Sequence, residues 1–345
     1  MQSQKPKISV IVVARNQKDV ISACLESILR LDYDNYDVIA VDDCSEDGTA
    51  EIVEKFPVQL IRLNKQGGPA LARNSGAERS CADILLFLDS DVIAAKNILS
   101  EILLSLENSP GAQAVQGVYS RESVPGNIVT RYRDYFDDYK NQGITSDFVK
   151  IISTCCFAIK RDVFFEVGGF DAQIKGATVE DNDLGYRLFA SGNRVVLNRN
   201  LTVTHLKRYS LKSLLERDYI VSFNMVKFFL RVKLAARRGS NFGIPLSSGE
   251  KTNAFFAASI ILSFITFILS VLWASSGFAM HYSVLFLALM LAFILINLKY
   301  LRLLSKVKGR RFCFVWIIIF YLDMLFASFG LLNGGMDFFI FKRKY

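Results

Sequence analysis

Three short groups of carboxylates carry the first chemical signal in this chain of 345 residues. Asp42-Asp43 and Asp89-Ser90-Asp91 each follow an apolar run, Val38-Ile39-Ala40-Val41 and Ile84-Leu85-Leu86-Phe87-Leu88. Runs of that length and type form strands buried in a parallel sheet, and open α/β folds bind their ligands at the carboxyl edge of such strands. An Asp-x-Asp placed there can hold a hard divalent cation through oxygen and still leave positions for phosphate oxygens and water. Either group alone could be an exposed turn whose acids cap a helix; two at successive strand ends argue for a site. The third group, Glu180-Asp181-Asn182-Asp183, opens a helix expected over Glu180 to Ala190. Acids in a first helical turn are favoured by the helix dipole, and Glu180, Asp183 and Arg187 share a face, so this group reads either as chemistry or as helix stabilisation.

The elements that would position these groups alternate at βαβ spacing. Ile8-Ser9-Val10-Ile11-Val12-Val13 is a strand, followed by a helix over Asp19 to Leu31 with apolar positions at Val20, Cys24, Leu25 and Ile28. A short helix over Gly48 to Phe56 separates the second strand from a third, Val58 to Leu63. Gly67-Gly68-Pro69 then breaks the chain before a helix over Ala70 to Ser80, and Asp83 to Leu88 is the next strand. The pattern predicts a parallel sheet with right-handed crossovers over the first hundred residues. Between 110 and 205 it is less regular: an aromatic patch (Tyr132, Tyr135, Phe136, Tyr139), a strand over Cys156 to Lys160, and a strand-like Arg194 to Val203 just before His205. This stretch is expected to vary with substrate.

With 51% apolar residues and a mean hydropathy of +0.28, the chain is too greasy for an ordinary soluble protein. Residues 254–274, 282–298 and 312–332 are apolar stretches of spanning or near-spanning length. The third contains Asp323, Asn333 and Gly334-Gly335, so it either crosses once or dips and returns. Residues 212–238 read as a basic amphipathic helix lying in a membrane surface. The net charge of +8 resolves into −6 over residues 1–204 and +14 over 205–345. The positive charge therefore lies beside the apolar segments, where it meets anionic headgroups, and a nucleic-acid partner is not expected. The 299–311 loop holds six Lys or Arg and the 275–282 loop none, which puts the former in the cytosol together with the N-terminal domain. The N-terminus leads into the first strand without an apolar signal segment, and the six cysteines form no CxxC, as in a reducing compartment. The expected location is a cell membrane, multi-pass, with the first domain facing the cytoplasm.

Five motifs in register over residues 7–205 resemble the family-2 glycosyltransferases of GT-A fold, inverting enzymes that use a nucleotide-sugar. Ser9-Val10-Ile11-Val12-Val13 opens the match, and Val41-Asp42-Asp43-Cys44-Ser45-Glu46-Asp47-Gly48-Thr49 is close to VDDxSxDGT. Gly68-Pro69-Ala70-Leu71-Ala72-Arg73-Asn74 resembles the nucleotide-contacting helix start, and Asp89-Ser90-Asp91 the DxD. Gly168-Gly169-Phe170-Asp171, with Glu180-Asp181-Asn182-Asp183-Leu184, looks like the acceptor-side GGFD and EDxDL pair.

The resemblance implies a role for each residue. Asp42 accepts a hydrogen bond from the nucleotide base, and Arg73 contacts the nucleotide. Asp91 binds Mg²⁺ or Mn²⁺, with Asp89 on the ribose or on metal-bound water and His205 on the metal or diphosphate. Asp181 takes the proton from the acceptor hydroxyl, with Glu180 as its partner. Two departures stand out: Ala14-Arg15-Asn16 replaces the proline and aromatic common after the first strand, and Thr154-Cys155-Cys156 stands where glycines are common. The processive-synthase motif QxxRW is absent near 205–225, which implies single-sugar transfer.

The expected organisation is a GT-A domain over 1–210, an interfacial helix and linker over 211–250, and a transmembrane region over 251–345. The expected partners are a nucleotide-sugar donor, membrane lipids and a lipid-linked saccharide or glycolipid acceptor, in cell-envelope or surface polysaccharide assembly. Two alternatives stand beside this one. A polyprenyl-phosphate glycosyltransferase would need no base, so EDxDL counts against it. A non-catalytic membrane scaffold or export subunit has no use for Asp89, Asp91 and Asp181.

Overall fold

The computed structural model describes residues 5–121, 126–144, 146–174, 176, 178–237, 250–277, 280–308 and 310–341. The chain runs through β1 (Ile8–Ala14), α1 (Ile21–Ile28), β2 (Tyr36–Asp42), α2 (Thr49–Val53), β3 (Gln59–Arg62), α3 (Pro69–Arg79), β4 (Ile84–Asp89), β5 (Val92–Ala94) and α4 (Ile98–Glu107). It continues through β6 (Ala112–Tyr119), α5 (Ile128–Gln142), β7 (Phe148–Val149), β8 (Cys156–Lys160), α6 (Arg161–Glu166), α7 (Glu180–Ala190) and β9 (Arg194–His205). Five helices follow: α8 (Leu211–Arg237), α9 (Glu250–Ser275), α10 (Met280–Ile296), α11 (Leu298–Lys308) and α12 (Arg310–Phe339).

One sheet, ordered β3-β2-β1-β4-β8-β6-β9-β5 with β7 paired to β9, carries the first domain. Both faces are covered, which is why the central strands read as unbroken apolar runs. Val10 and Val12 of β1 pack with α1 and α4 on one face, while Ile11 packs with α3, α6 and α7 on the other. The parallel arrangement expected of the first strands holds for β1 to β4. Beyond them the sheet is mixed, because β8 enters antiparallel between β4 and β6, and β5 pairs antiparallel with β9. Helix α3 lies unusually close to the sheet: a Cβ on Gly76 would come within 2.6 Å of the Ile11 side chain. Its run of small residues thus brings its first turn down onto the carboxyl edge.

The aromatic patch of α5 is covered by the C-terminal helices. Tyr132, Tyr135 and Phe136 are buried against Phe293, Tyr300, Trp316, Phe320 and Met324, so α5 is the seat on which the C-terminal helices rest. Helix α8 has its apolar face taken as well. Leu214 joins that same cluster, Phe228 and Val232 pack with Ile174 and Val179 of the first domain, and the other side lies along α12. Close approach there needs Gly330 and Gly334, where any Cβ would run into the backbone oxygens of Tyr219 and Phe223. Lys227 of α8, buried in this seam, pairs with Asp337 of α12 at 2.7 Å.

Among the described residues, two helical stretches are long and apolar enough to cross a membrane, Phe255–Ser275 and Phe312–Phe339; the count rises to three if a bent pair is one span. That pair is α10 and α11, which meet at 63° near Asn297, so the stretch expected over 282–298 coincides with α10 up to the bend. Helix α12 runs unbroken to Phe339 without turning back. The basic Lys342-Arg343-Lys344 and the 238–249 part of the expected linker lie outside the described residues. Gly334→Leu should force α8 and α12 apart and cost about 1–3 kcal/mol. Thermal unfolding of the purified protein in detergent checks this, and an unchanged melting temperature would disprove the tight seam.

Candidate active site

The carboxyl edge of β1, β2 and β4 forms one wall of a cleft, because strand register brings Asp42 level with Ala14 and Asp89 level with Val13. After Asp89 the chain turns through Ser90-Asp91 directly into β5. Pairing of β5 with β9 sets Val92 opposite His205, and the Leu206 N–H donates to the Asp91 carbonyl at 2.7 Å. Two residues far apart in sequence are thereby forced together: His205 Nε2 lies 3.5 Å from Asp91 Oδ2. Tyr119, at the end of β6, stacks on the His205 ring at 4.4 Å and donates from its hydroxyl to Asp89 Oδ2 at 2.8 Å. Burial opposes ionisation of Asp91, but the hydrogen bond and charge of His205, with Lys207 beyond, outweigh it and hold the carboxyl below the usual range.

Helix α3 builds the opposite wall. Asp43 accepts from the N–H groups of Gly67 (2.6 Å) and Gly68 (2.9 Å), and Gly68 at φ +84° turns the chain into Pro69 at the first helical position. One turn on, Arg73 is buried and donates to Glu180 Oε1 at 2.9 Å and to Asp89 Oδ1 at 3.3 Å, with its guanidinium 5.5 Å from the Phe170 ring centroid. Burial works against that charge, yet Glu180 and Asp89 hold it firmly protonated. The next residue clasps another motif: Asn74 donates to the Phe170 carbonyl at 2.8 Å and accepts from its N–H at 2.9 Å. The second oxygen of Glu180 accepts from Thr178 N at 2.8 Å. Asp181 accepts from Asn182 N at 2.7 Å, and burial together with the Glu180 charge pushes its carboxyl well above the usual carboxylate range.

Arg73, Asp89, Asp91, Glu180, Asp181 and His205 line one cleft of about 540 Å³. Asp42 does not. It is buried behind Asp43, with Oδ2 accepting from Ser45 N at 3.0 Å and Oδ1 left without a partner. Arg73, expected on the nucleotide, is committed to two carboxylates. Tyr119, Lys207, Arg15 and Arg217 also line the cleft and were not anticipated there. The near-alternating run Ala112 to Tyr119 could have disclosed β6 and so the strand end that carries Tyr119.

A divalent cation fits one part of this edge. Asp91 and His205 present an oxygen and a nitrogen side by side in the cleft, while Asp89 is engaged by Arg73 and Tyr119. Among the described residues no three His, Cys, Asp or Glu side chains form a closed cage. Such a cation would take its remaining positions from phosphate oxygens and water, as Mg²⁺ commonly does.

Comparison with known proteins bears on the domain and its fold. Residues 9–168 match the model of Glycosyl transferase family 2. The chain carries a family 2 glycosyltransferase domain. An uncharacterised glycosyltransferase of Haemophilus influenzae is 29% identical to it over 220 residues, covering 61% of this chain and 71% of that one. A poly-β-1,6-N-acetyl-D-glucosamine synthase of Staphylococcus aureus is 25% identical over 196 residues, 54% of this chain and 47% of the other. Among solved structures, the mannosyltransferase PcManGT of Pyrobaculum calidifontis, in complex with GDP-Man and Mn²⁺, aligns over 99% of this chain and 89% of its own, with 16% identity and a TM-score of 0.57. The shared fold extends through the C-terminal helices. In this glycosyltransferase, Arg73→Met would strand the buried Glu180 carboxylate and unpair the partly exposed Asp89, and should cost about 3–5 kcal/mol. Calorimetric or fluorescence melting measures it; a variant as stable as the parent would refute the bridging role.

Proposed function

We propose that the glycosyltransferase moves one sugar, with inversion, from a nucleotide-sugar to a hydroxyl of a lipid-linked saccharide or glycolipid at a membrane surface, for envelope or surface polysaccharide assembly. The observation that carries this reading is the meeting of Asp89, Asp91, Asp181 and His205 in one cleft, one wall of which, through Arg217 and Val221, belongs to the helix lying along α12. In this reading the catalytic domain faces the cytoplasm and the apolar helices cross the membrane.

The nucleobase role implied for Asp42 finds no open acceptor in this cleft, because its unpartnered Oδ1 is enclosed behind Asp43, which is itself occupied by Gly67 and Gly68. Asp91 and His205 hold Mg²⁺ or Mn²⁺. When bound, the cation offsets charge on the diphosphate and makes it a better leaving group. Asp89, fixed by Arg73 and Tyr119, faces the donor's ribose. Asp181 accepts the proton of the acceptor hydroxyl as that oxygen bonds to the anomeric carbon and the bond to the nucleoside diphosphate breaks on the opposite side. A carboxyl raised by burial is a stronger base than an ordinary aspartate, which suits it to this transfer. Glu180 keeps Arg73 beside it.

Asp181→Asn should lower turnover by about 10²–10⁴-fold while nucleoside diphosphate binding persists. The base works deprotonated, so kcat/KM should be lost as pH falls through the raised Asp181 value, at a higher pH than an unperturbed aspartate would set. Retained turnover in the variant, or an acid limb in the ordinary aspartate range, removes the assignment. EDTA should abolish activity and Mn²⁺ restore it; full activity without metal would discredit the Asp91 and His205 pair. Polyprenyl phosphate supplied beside lipid-linked saccharides tests the acceptor, because preferential transfer to the phosphate would leave no need for a base.

A further inference from the structure

Arg217 and Val221 are the cleft residues that come from α8, and of the two only Arg217 carries a charge. Its side chain is 36% exposed, and Nη1 donates to Asp218 Oδ1 at 2.5 Å. That contact uses one of the three guanidinium nitrogens. Asp218 does not need Arg217 as a counter-ion: both of its oxygens already accept from Arg133 Nη1, at 3.1 and 2.9 Å. Asp323 of α12 lies near it and accepts on Oδ2 from the Tyr132 hydroxyl at 2.6 Å. Asp218 is thus anchored where α5, α8 and α12 meet, and it holds one side of a guanidinium whose other side reaches the cleft.

The chemistry of that guanidinium selects its ligand. It lies in the cavity that contains Asp91 and His205, with exposed Lys207 on the same lining, its ammonium 5.4 Å from the Tyr209 ring centroid. A planar fork held by a fixed carboxylate matches a pair of phosphate oxygens, and pre-organisation reduces the entropy lost on binding. A half-exposed pair with Asp218 alone would contribute little to stability. We propose that Arg217 binds a phosphate group of the ligand in this cleft and that Asp218 is the residue that positions it. The inference rests on reading the cleft as a nucleotide-sugar site. The phosphate has two possible sources, the diphosphate of the donor or a phosphate that links the acceptor to its lipid.

The test uses the full chain in lipid nanodiscs, titrated calorimetrically with UDP and GDP in the presence of Mn²⁺, and separately its binding to phosphatidylcholine vesicles doped with polyprenyl phosphate. Arg217→Met should melt like the parent and weaken binding of the preferred nucleoside diphosphate by about 10- to 100-fold, with Arg217→Lys recovering part of the loss. A loss of that size on the doped vesicles alone assigns the same residue to a lipid phosphate. Asp218→Asn should weaken the same ligand, yet add nothing in an Arg217→Met background. Parent and Arg217→Met chains that bind both probes equally would overturn the proposal, and an additive effect of Asp218→Asn would overturn the positioning role. A parent chain that binds neither nucleotide would sink the nucleotide-sugar reading itself, and this inference with it.

Discussion

One buried cation organises the catalytic cleft. The Arg73 guanidinium is withdrawn from water and paid for by two carboxylates, Asp89 at the end of β4 and Glu180 at the start of α7. Those residues are ninety-one positions apart in sequence. A charge desolvated to this extent is tolerable only while both partners are in place, so the strand end and the helix start are fixed relative to one another. Asn74 extends the same control by gripping the backbone of Phe170. Two adjacent residues of α3 therefore set the spacing between the DxD turn and the carboxylate proposed as base. The small residues of α3 are the precondition, because they let the helix approach the sheet closely enough for Arg73 to reach both acids.

Much of the first domain was legible because burial on both faces writes itself into the sequence as β-branched runs. The strand over Cys156 to Lys160 and the helix over Glu180 to Ala190 fall where periodicity put them, and β1 to β4 agree to within two residues at their ends. The strands that escaped are short or mixed: β5 has three residues and β7 two, and β6 mixes Gln and Gly with its apolar positions. The carboxylates of the cleft were legible by type and spacing alone. What could not be read was which of them spend their charge on each other. Arg73 looks like a ligand contact in sequence and is an internal bridge in space; Asp42 and Asp43 are neighbours, yet only Asp43 reaches the cleft wall.

The aromatic run in α5 and the basic run in α8 have one thing in common. Composition reports that a helix has an apolar face and a charged face, and leaves open what covers each. The α5 aromatics meet the C-terminal helices. In α8 the apolar residues are shared between the first domain and α12, and Lys227, which reads as a surface charge, is buried against Asp337. The rest stays uncovered, since Ile220 and Leu234 of α8 and many apolar side chains of α9, α10 and α12 are exposed.

Because α8 is at once a wall of the cleft and the neighbour against which α12 is locked by Gly330 and Gly334, the reacting centre sits at one height relative to the long apolar helix. The molecule behaves as a ruler. In the proposed reading, with an acceptor tail alongside α12, that fixed height sets how far from the tail a hydroxyl must be carried to meet Asp181.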